Sequence, residues 1–136
     1  MKKEQIFIII AIFIGGALGT LFRYTINLQT TTLIFPLGTL LENIAGSLLL
    51  GILTGYIFLK AINVVIKEAI GVGFCGGFTT MSTLAADSVF LFDEGSIGSV
   101  IFYFCGSLTF GLLAAFVGLF LGRKLAEQRL RAGESG

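Results

Sequence analysis

The sequence predicts an all-α membrane protein with four transmembrane helices, the third of them broken in mid-membrane. Composition carries the first part of that reading. Of 136 residues, 55% are hydrophobic and only 12% are charged, against about 25% charged in an ordinary soluble domain. Mean hydropathy is +0.97. So few charges cannot cover the surface of a soluble domain this rich in Phe, Leu and Ile. Uncharged runs carry the second part: 5–22, 43–59, 69–86 and 95–122 contain no Asp, Glu, Lys or Arg. A spanning helix needs about 20 predominantly apolar residues. The third observation is a knot of glycines and hydroxyls, GFCGGFTTMSTLAAD at 73–87, inside the third run.

The first helix is placed at 5–27. Its opening, MKKEQIFIIIAIFIGGALG, imitates a secretory signal, but apolar spans continue to the far end, so it is taken as the first span. The second helix, 37–59, starts after Pro36 and must tolerate Glu42. The third, 65–92, holds the polar knot, and the fourth, 97–125, continues into the tail RKLAEQRLRAGESG before fraying through its glycines. Connections at 28–35, 60–64 and 92–96 are short, so 1–136 reads as a single domain with no room for a catalytic or nucleotide-binding unit. Gly15/Gly19, Gly51/Gly55, Gly73/Gly77 and Gly118/Gly122 are spaced four apart. That spacing lets helices approach closely in lipid. It is common in Gly-rich membrane chains and says little more than tight packing. Four short helices leave little room for a private pore, which favours oligomers.

Composition also excludes functions. A net charge of +1 offers no basic face for nucleic acid. Histidine is absent, so imidazole ligands and His-based acid–base chemistry are excluded. Cys75 and Cys105 lack C-x-x-C spacing and sit in apolar surroundings, as buried small side chains do. Within the spans, polar groups carry free energy penalties unless they are paired or line water. Arg23 has a snorkelling reading at the end of helix one, and Thr109 the reading of a hydroxyl bonded to its own helix. Asn43 needs an interhelical or pathway partner, because an amide deep in a span cannot be left bare.

GGFTT is poor helix sequence: glycine lowers propensity and threonine competes for backbone bonds. A helix broken in mid-membrane frees backbone carbonyls, which are oxygen ligands for hard cations such as Na⁺. The hydroxyls that follow, Thr80, Ser82 and Thr83, supply donors for an anion.

Taken together, these segments resemble the small Fluc (CrcB) fluoride channels. GGALGTLFRY, with Gly15, Gly16, Gly19, Arg23 and Tyr24, is similar to the family's first-helix motif; GTLLENIAGS, with Thr39, Asn43 and Ser47, is similar to its second; and GFCGGFTTMST to its third. YFCGS, with Tyr103 and Ser107, is a weaker match. The resemblance spans nearly the whole chain. It implies a passive fluoride-selective anion channel in the plasma membrane that lets the membrane potential drive fluoride out. It also implies an antiparallel dimer with two pores and a structural Na⁺ held at the dimer centre by the carbonyls of Gly76 and Thr79. Asn43, Thr80, Met81, Ser82, Thr83, Leu84, Tyr103 and Ser107 would then line the anion path. Arg23, Glu42 and Asp87 would be structural or gating groups.

Three features qualify a simple homodimer. The family's pore phenylalanines fall at Met81 and Leu84, neither of which offers a positive ring edge. Glu42 stands beside Asn43, where the family has an apolar residue; ionised, it would repel anions, and paired with a helix end or partner group it would not. Eight of nine cations (Lys2, Lys3, Lys60, Lys67, Arg123, Lys124, Arg129 and Arg131, with Arg23 apart) fall on one side of a four-span topology. Positive residues favour the cytoplasm, so both termini are expected there and the chain is expected to insert in one orientation. An antiparallel dimer of such a chain requires a homologous, oppositely oriented partner. The sequence therefore reads as the degenerate member of a heterodimeric pair, with a non-conducting or regulatory subunit as the alternative. A small multidrug exporter using Glu42 is a weaker one, since that family's acid lies in helix one and its sites use Trp, absent here.

Overall fold

The computed structural model describes residues 3–30, 35–95 and 97–134. Helix α1 runs Lys3–Thr30 and α2 runs Leu37–Ile57. The third span, Val64–Asp93, is a composite. It begins with α3, Val64–Glu68, passes into a π-helical stretch, Ala69–Cys75, and makes one further turn, α4, Gly76–Phe78. After an extended Thr79–Thr80 link it resumes as α5, Met81–Asp93. Helix α6 runs Ile97–Glu134, carrying the charged tail as helix well past residue 125. Four helical spans are long and apolar enough to cross a membrane, and among the described residues there is no strand. The chain is a multi-pass membrane protein, and residues 31–34 of the first connection lie outside the described ones.

Local chemistry sets the ends. Asn63 caps α3 by accepting the Val65 amide at 2.8 Å. Thr80 caps α5 by accepting the Thr83 amide at 3.1 Å. Gly95, at φ +79°, makes the turn into α6 that a residue with a Cβ would resist.

The glycine pairs sort into two seams. A Cβ on Gly15 or Gly19 would run into the carbonyls of Ala69 or Phe74, and one on Gly73 or Gly77 into those of Ile12 or Gly16. These four glycines join α1 to the third span. A Cβ on Gly51 or Gly55 would strike the carbonyls of Ala115 or Leu119, and one on Gly118 or Gly122 those of Leu48 or Ile52. These four join α2 to α6, and Arg123 of α6 lies over the Phe58 ring, 5.1 Å from its centroid. Backbone contact of this kind is how helices associate where lipid is as apolar as their side chains.

Between the two pairs lies a small core of Leu84, Leu91 and Tyr103, with Phe35, Leu40 and Val100 against it. Most large apolar side chains point outward, from Phe13 on α1 to Phe120 on α6. Such a surface belongs in lipid or against another copy.

Candidate functional site

The break in the third span follows from captured backbone groups. Thr79 (φ −79°, ψ 154°) and Thr80 (φ −150°, ψ 125°) are both extended. In a continuous helix the Thr80 amide would close on the Gly76 carbonyl. Here it donates to Asn43 Oδ1 at 2.7 Å, and Asn43 Nδ2 donates back to the Thr80 carbonyl at 2.9 Å. The Thr83 amide, which would close on the Thr79 carbonyl, donates instead to the Thr80 hydroxyl. Neither Gly76 nor Thr79 therefore receives its helical amide at the carbonyl. The Gly77 carbonyl is served by side chains of α1: Arg23 Nε at 3.2 Å and the Thr20 hydroxyl at 3.4 Å. Thr79 itself turns inward, its amide and hydroxyl both donating to the Cys75 carbonyl at 2.9 Å.

A groove of about 650 Å³ opens on this break between α2, the third span and α6. Its polar lining comes from Asn43, Ser47, Thr79, Thr80 and Ser107, with Gly76, Met81 and Leu84 alongside. Among the described residues no acidic or basic side chain lines it. Asn43 has two amide N–H groups; one is committed to Thr80, and the other remains for the groove. Ser107 is 3% exposed and Thr80 9%, so their hydroxyls are largely withdrawn from bulk solvent. The Thr80 hydroxyl lies 3.2 Å from that of Ser82 and 3.0 Å from that of Thr83. Ser82 and Thr83 lie outside the groove lining and reach it through Thr80.

The other expected site residues divide between the groove's edge and the buried interior. Met81 is 60% exposed at the groove's rim, whereas Leu84 is 1% exposed, with its side chain in the core against Leu91 and Tyr103. Asp87 is part of a buried polar cluster rather than the groove. Its Oδ2 accepts the Thr39 hydroxyl and the Tyr103 hydroxyl, each at 2.7 Å, so it ties α2, α5 and α6 together. Glu42 is fully enclosed within the protomer and is not part of the groove lining; neither carboxylate oxygen is in hydrogen-bond geometry, with the Asn27 amide as the neighbouring donor. A second chain cannot reach it without displacing its neighbours. Arg23 does more than mark a helix end, since it satisfies a backbone carbonyl at the break. Thr20 was not singled out by sequence reasoning, and Thr39 only as part of the second-helix motif. Their signal was spacing: Thr20 precedes Arg23 by three and Thr39 precedes Asn43 by four, which puts each pair on one helix face.

The donor set suits a hard monovalent cation at the break. Among the described residues no group of three Asp, Glu, His or Cys side chains is placed to hold a metal, so any cation here would be held by carbonyls. The Gly76 and Thr79 carbonyls, whose helical amides are captured elsewhere, are among the carbonyls the break leaves over.

A four-helix membrane protomer with a broken third span and a neutral polar groove defines an ion-pathway protein rather than an enzyme fold. Residues 10–119 match the family described as CrcB-like protein, Camphor Resistance (CrcB). The chain is 50% identical to the "Fluoride-specific ion channel FluC 2" of Halalkalibacterium halodurans, over 90% of this chain and 91% of that one. It is 47% identical to the protein of the same name from Bacillus subtilis, over 90% and 93%. It is 40% identical to the "Fluoride-specific ion channel FluC 1" of Staphylococcus aureus, over 85% and 96%. The chain belongs to the CrcB family.

Proposed function

We propose that this chain is a fluoride-selective passive channel subunit of the plasma membrane, working as an antiparallel dimer. The observation that carries the reading is the match along nearly the full chain to relatives named fluoride-specific ion channels. The groove supports it chemically. Fluoride is small and tightly hydrated, so a path must offer hydrogen-bond donors in place of water. A free Asn43 N–H and the Thr80 and Ser107 hydroxyls do so with no fixed positive charge to trap the ion.

The groove is open along one side of the protomer, and Gly76, where an added Cβ would meet nothing within 4 Å, faces outward beside it. A second subunit would close the groove and bring its own break against this one. The Gly76 and Thr79 carbonyls of both copies then supply a site for Na⁺ at the centre, which neutralises carbonyl dipoles and ties the subunits together. The eight-to-one distribution of cations supports a single orientation with both termini cytoplasmic and hence an oppositely oriented homologous partner. Met81 in place of a ring supports the same heterodimeric reading.

The test is fluoride efflux from liposomes containing this chain alone and then with a homologous partner. Selective fluoride flux over chloride, dependent on Na⁺ and larger with the partner, is expected. Flux without selectivity, or none with any partner, would remove the channel reading. Single cysteines at Glu127 and Asp93, in a background lacking Cys75 and Cys105, should label from opposite sides; two-sided labelling at Glu127 would show dual topology.

A further inference from the structure

Glu42 is the buried group that the anion path leaves unused. Among the described residues, its two oxygens are the only buried side-chain polar atoms without a hydrogen-bond partner, and the residue is 0% exposed. It sits on α2 one turn beyond Thr39 and next to Asn43. Its electrostatic neighbours are Arg23 and Asn27 from α1, Asp87 from α5 and Tyr103 from α6.

Asp87 accepts two hydroxyl donors at Oδ2, from Thr39 and Tyr103. Both lone pairs of that oxygen are thereby taken by hydroxyl donors. Arg23 is the one cation facing the cluster, and its Nε is committed to the Gly77 carbonyl. A bare carboxylate at Glu42 would be sealed from solvent, with neither oxygen in hydrogen-bond geometry and the Asn27 amide as the side-chain donor beside it. Buried charges of that kind are not tolerated unpaired. A metal cation would need several oxygen ligands around it, and Asp87 Oδ2 and both cluster hydroxyls are already committed to one another. A proton needs only one of the free Glu42 oxygens.

We propose that Glu42 is a proton-binding site buried in the protomer, whose proton keeps the Asn43 end of the groove free of negative charge. The carboxyl is adjacent along α2 to the amide that lines the groove. Loss of the proton would put a full negative charge beside that wall through a water-poor interior, where unit charges several ångströms apart are weakly screened. An anion at Asn43 is then repelled. The second half of the proposal rests on the groove being the anion path; the first half does not.

Two measurements separate those halves. Infrared spectra of the reconstituted dimer should show a protonated-carboxyl C=O stretch near neutral pH that disappears in Glu42→Gln. Should that variant fail to fold, wild-type protein grown with carboxyl-¹³C glutamate identifies the band by its isotope shift. Absence of a Glu42 band overturns the proposal. Fluoride flux, corrected for protein-free liposomes because the neutral acid crosses lipid unaided, should fall on the order of tenfold as pH rises through the titration of that band. Flux in Glu42→Gln should stay flat over the same range. Parallel profiles in the two proteins overturn the link to the groove. A Glu42 band in a protein with no flux at any pH would uphold the proton site and remove the channel reading instead.

Discussion

Along the α2–α6 contact, Gly51, Gly55, Gly118 and Gly122 bring two unbroken helices together; along the contact of α1 with the third span, Gly15, Gly19, Gly73 and Gly77 bring an unbroken helix against one that turns π-helical and then breaks. Close glycine contact is therefore not what breaks a helix here. The seams differ in what surrounds them. The α2–α6 seam is lined by small and apolar groups, and a hydroxyl such as Thr54 simply donates to its own helix at the Leu50 carbonyl, 2.7 Å away. At the break, Asn43, the Thr80 hydroxyl and Arg23 each take a backbone group that the helix would otherwise use. In lipid every backbone group must be satisfied within the protein, so a span opens only where such substitutes stand ready. One seam holds the scaffold, and the other positions the chemistry.

The largest effect expected from disturbing this contrast is at the scaffold. Gly118→Val would push a side chain into the Leu48 carbonyl, which is backbone and cannot swing aside. Overpacking of this kind destabilises by about 1–3 kcal/mol and sometimes more, and here it forces two spans apart. Loss of the monodisperse species on size exclusion, with or without a partner, is expected. Gly76→Val is the control on the other side, because nothing in the protomer lies within 4 Å of its Cβ. That protomer should keep its fold and lose only dimer and Na⁺ dependence. Equal damage from both variants would erase the distinction between the two regions.

Next in size is Asn43→Ala. It strips a donor and an acceptor from the Thr80 backbone at once, and each buried group left unsatisfied costs about 1–3 kcal/mol. Fluoride flux should drop at least on the order of tenfold, with the break partly reclosed as helix. Asn43→Asp keeps the acceptor for the Thr80 amide and should fall between the two. A wild-type flux in Asn43→Ala would mean that the break persists for another reason.

Sequence reading reached some of this and missed the rest for identifiable causes. The four glycine pairs were legible, since their spacing is local, but which pair meets which depends on how helices cross. Weak propensity in GGFTT placed a break in the third span. It could not locate the break at Thr79–Thr80, because the amides are captured by Asn43, 37 positions away, and by the Thr80 cap. The π-helical stretch Ala69–Cys75 left no pattern to read, since its own residues are only apolar side chains and glycines pressed on α1. Asn43 was legible as an amide too deep to be idle. The enclosure of Glu42 was not, because the groups that act on it come from α1, α5 and α6, far apart in the chain. Residues at one helix end can serve different sides: Met81 looks outward, while Leu84, three positions on, turns into the core.

A smaller change is expected where the two seams are cross-tied. Tyr103→Phe removes one of two hydroxyl donors from Asp87 and leaves the ring against Phe35, 5.5 Å between centroids. A net intramolecular hydrogen bond contributes about 0.5–1.5 kcal/mol, and the Thr39 donor remains. The thermal midpoint should fall by a few degrees while dimer and selectivity persist. Complete loss of the folded protein would place the cluster, rather than the glycine seams, at the foundation of the bundle.

The smallest structural effect, and the sharpest probe of the groove, is Met81→Phe. Met81 is the first residue of α5 and 60% exposed at the rim, so a ring can be placed there without displacing the core. Substitutions at such positions change stability by about 0.5 kcal/mol or less. The positive edge of the ring would add a weak contact for an anion where the thioether has none. Fluoride flux should therefore rise a few-fold at constant dimer content, measured as liposome efflux. Leu84→Phe is not an equivalent test. At 1% exposure and packed with Leu91 and Tyr103, that position would overpack by about 1–3 kcal/mol, and a lower flux there would report strain. If Met81→Phe folds, assembles and leaves flux unchanged, ring edges at the rim contribute nothing, and the donors of Asn43, Thr80 and Ser107 must carry the anion by themselves.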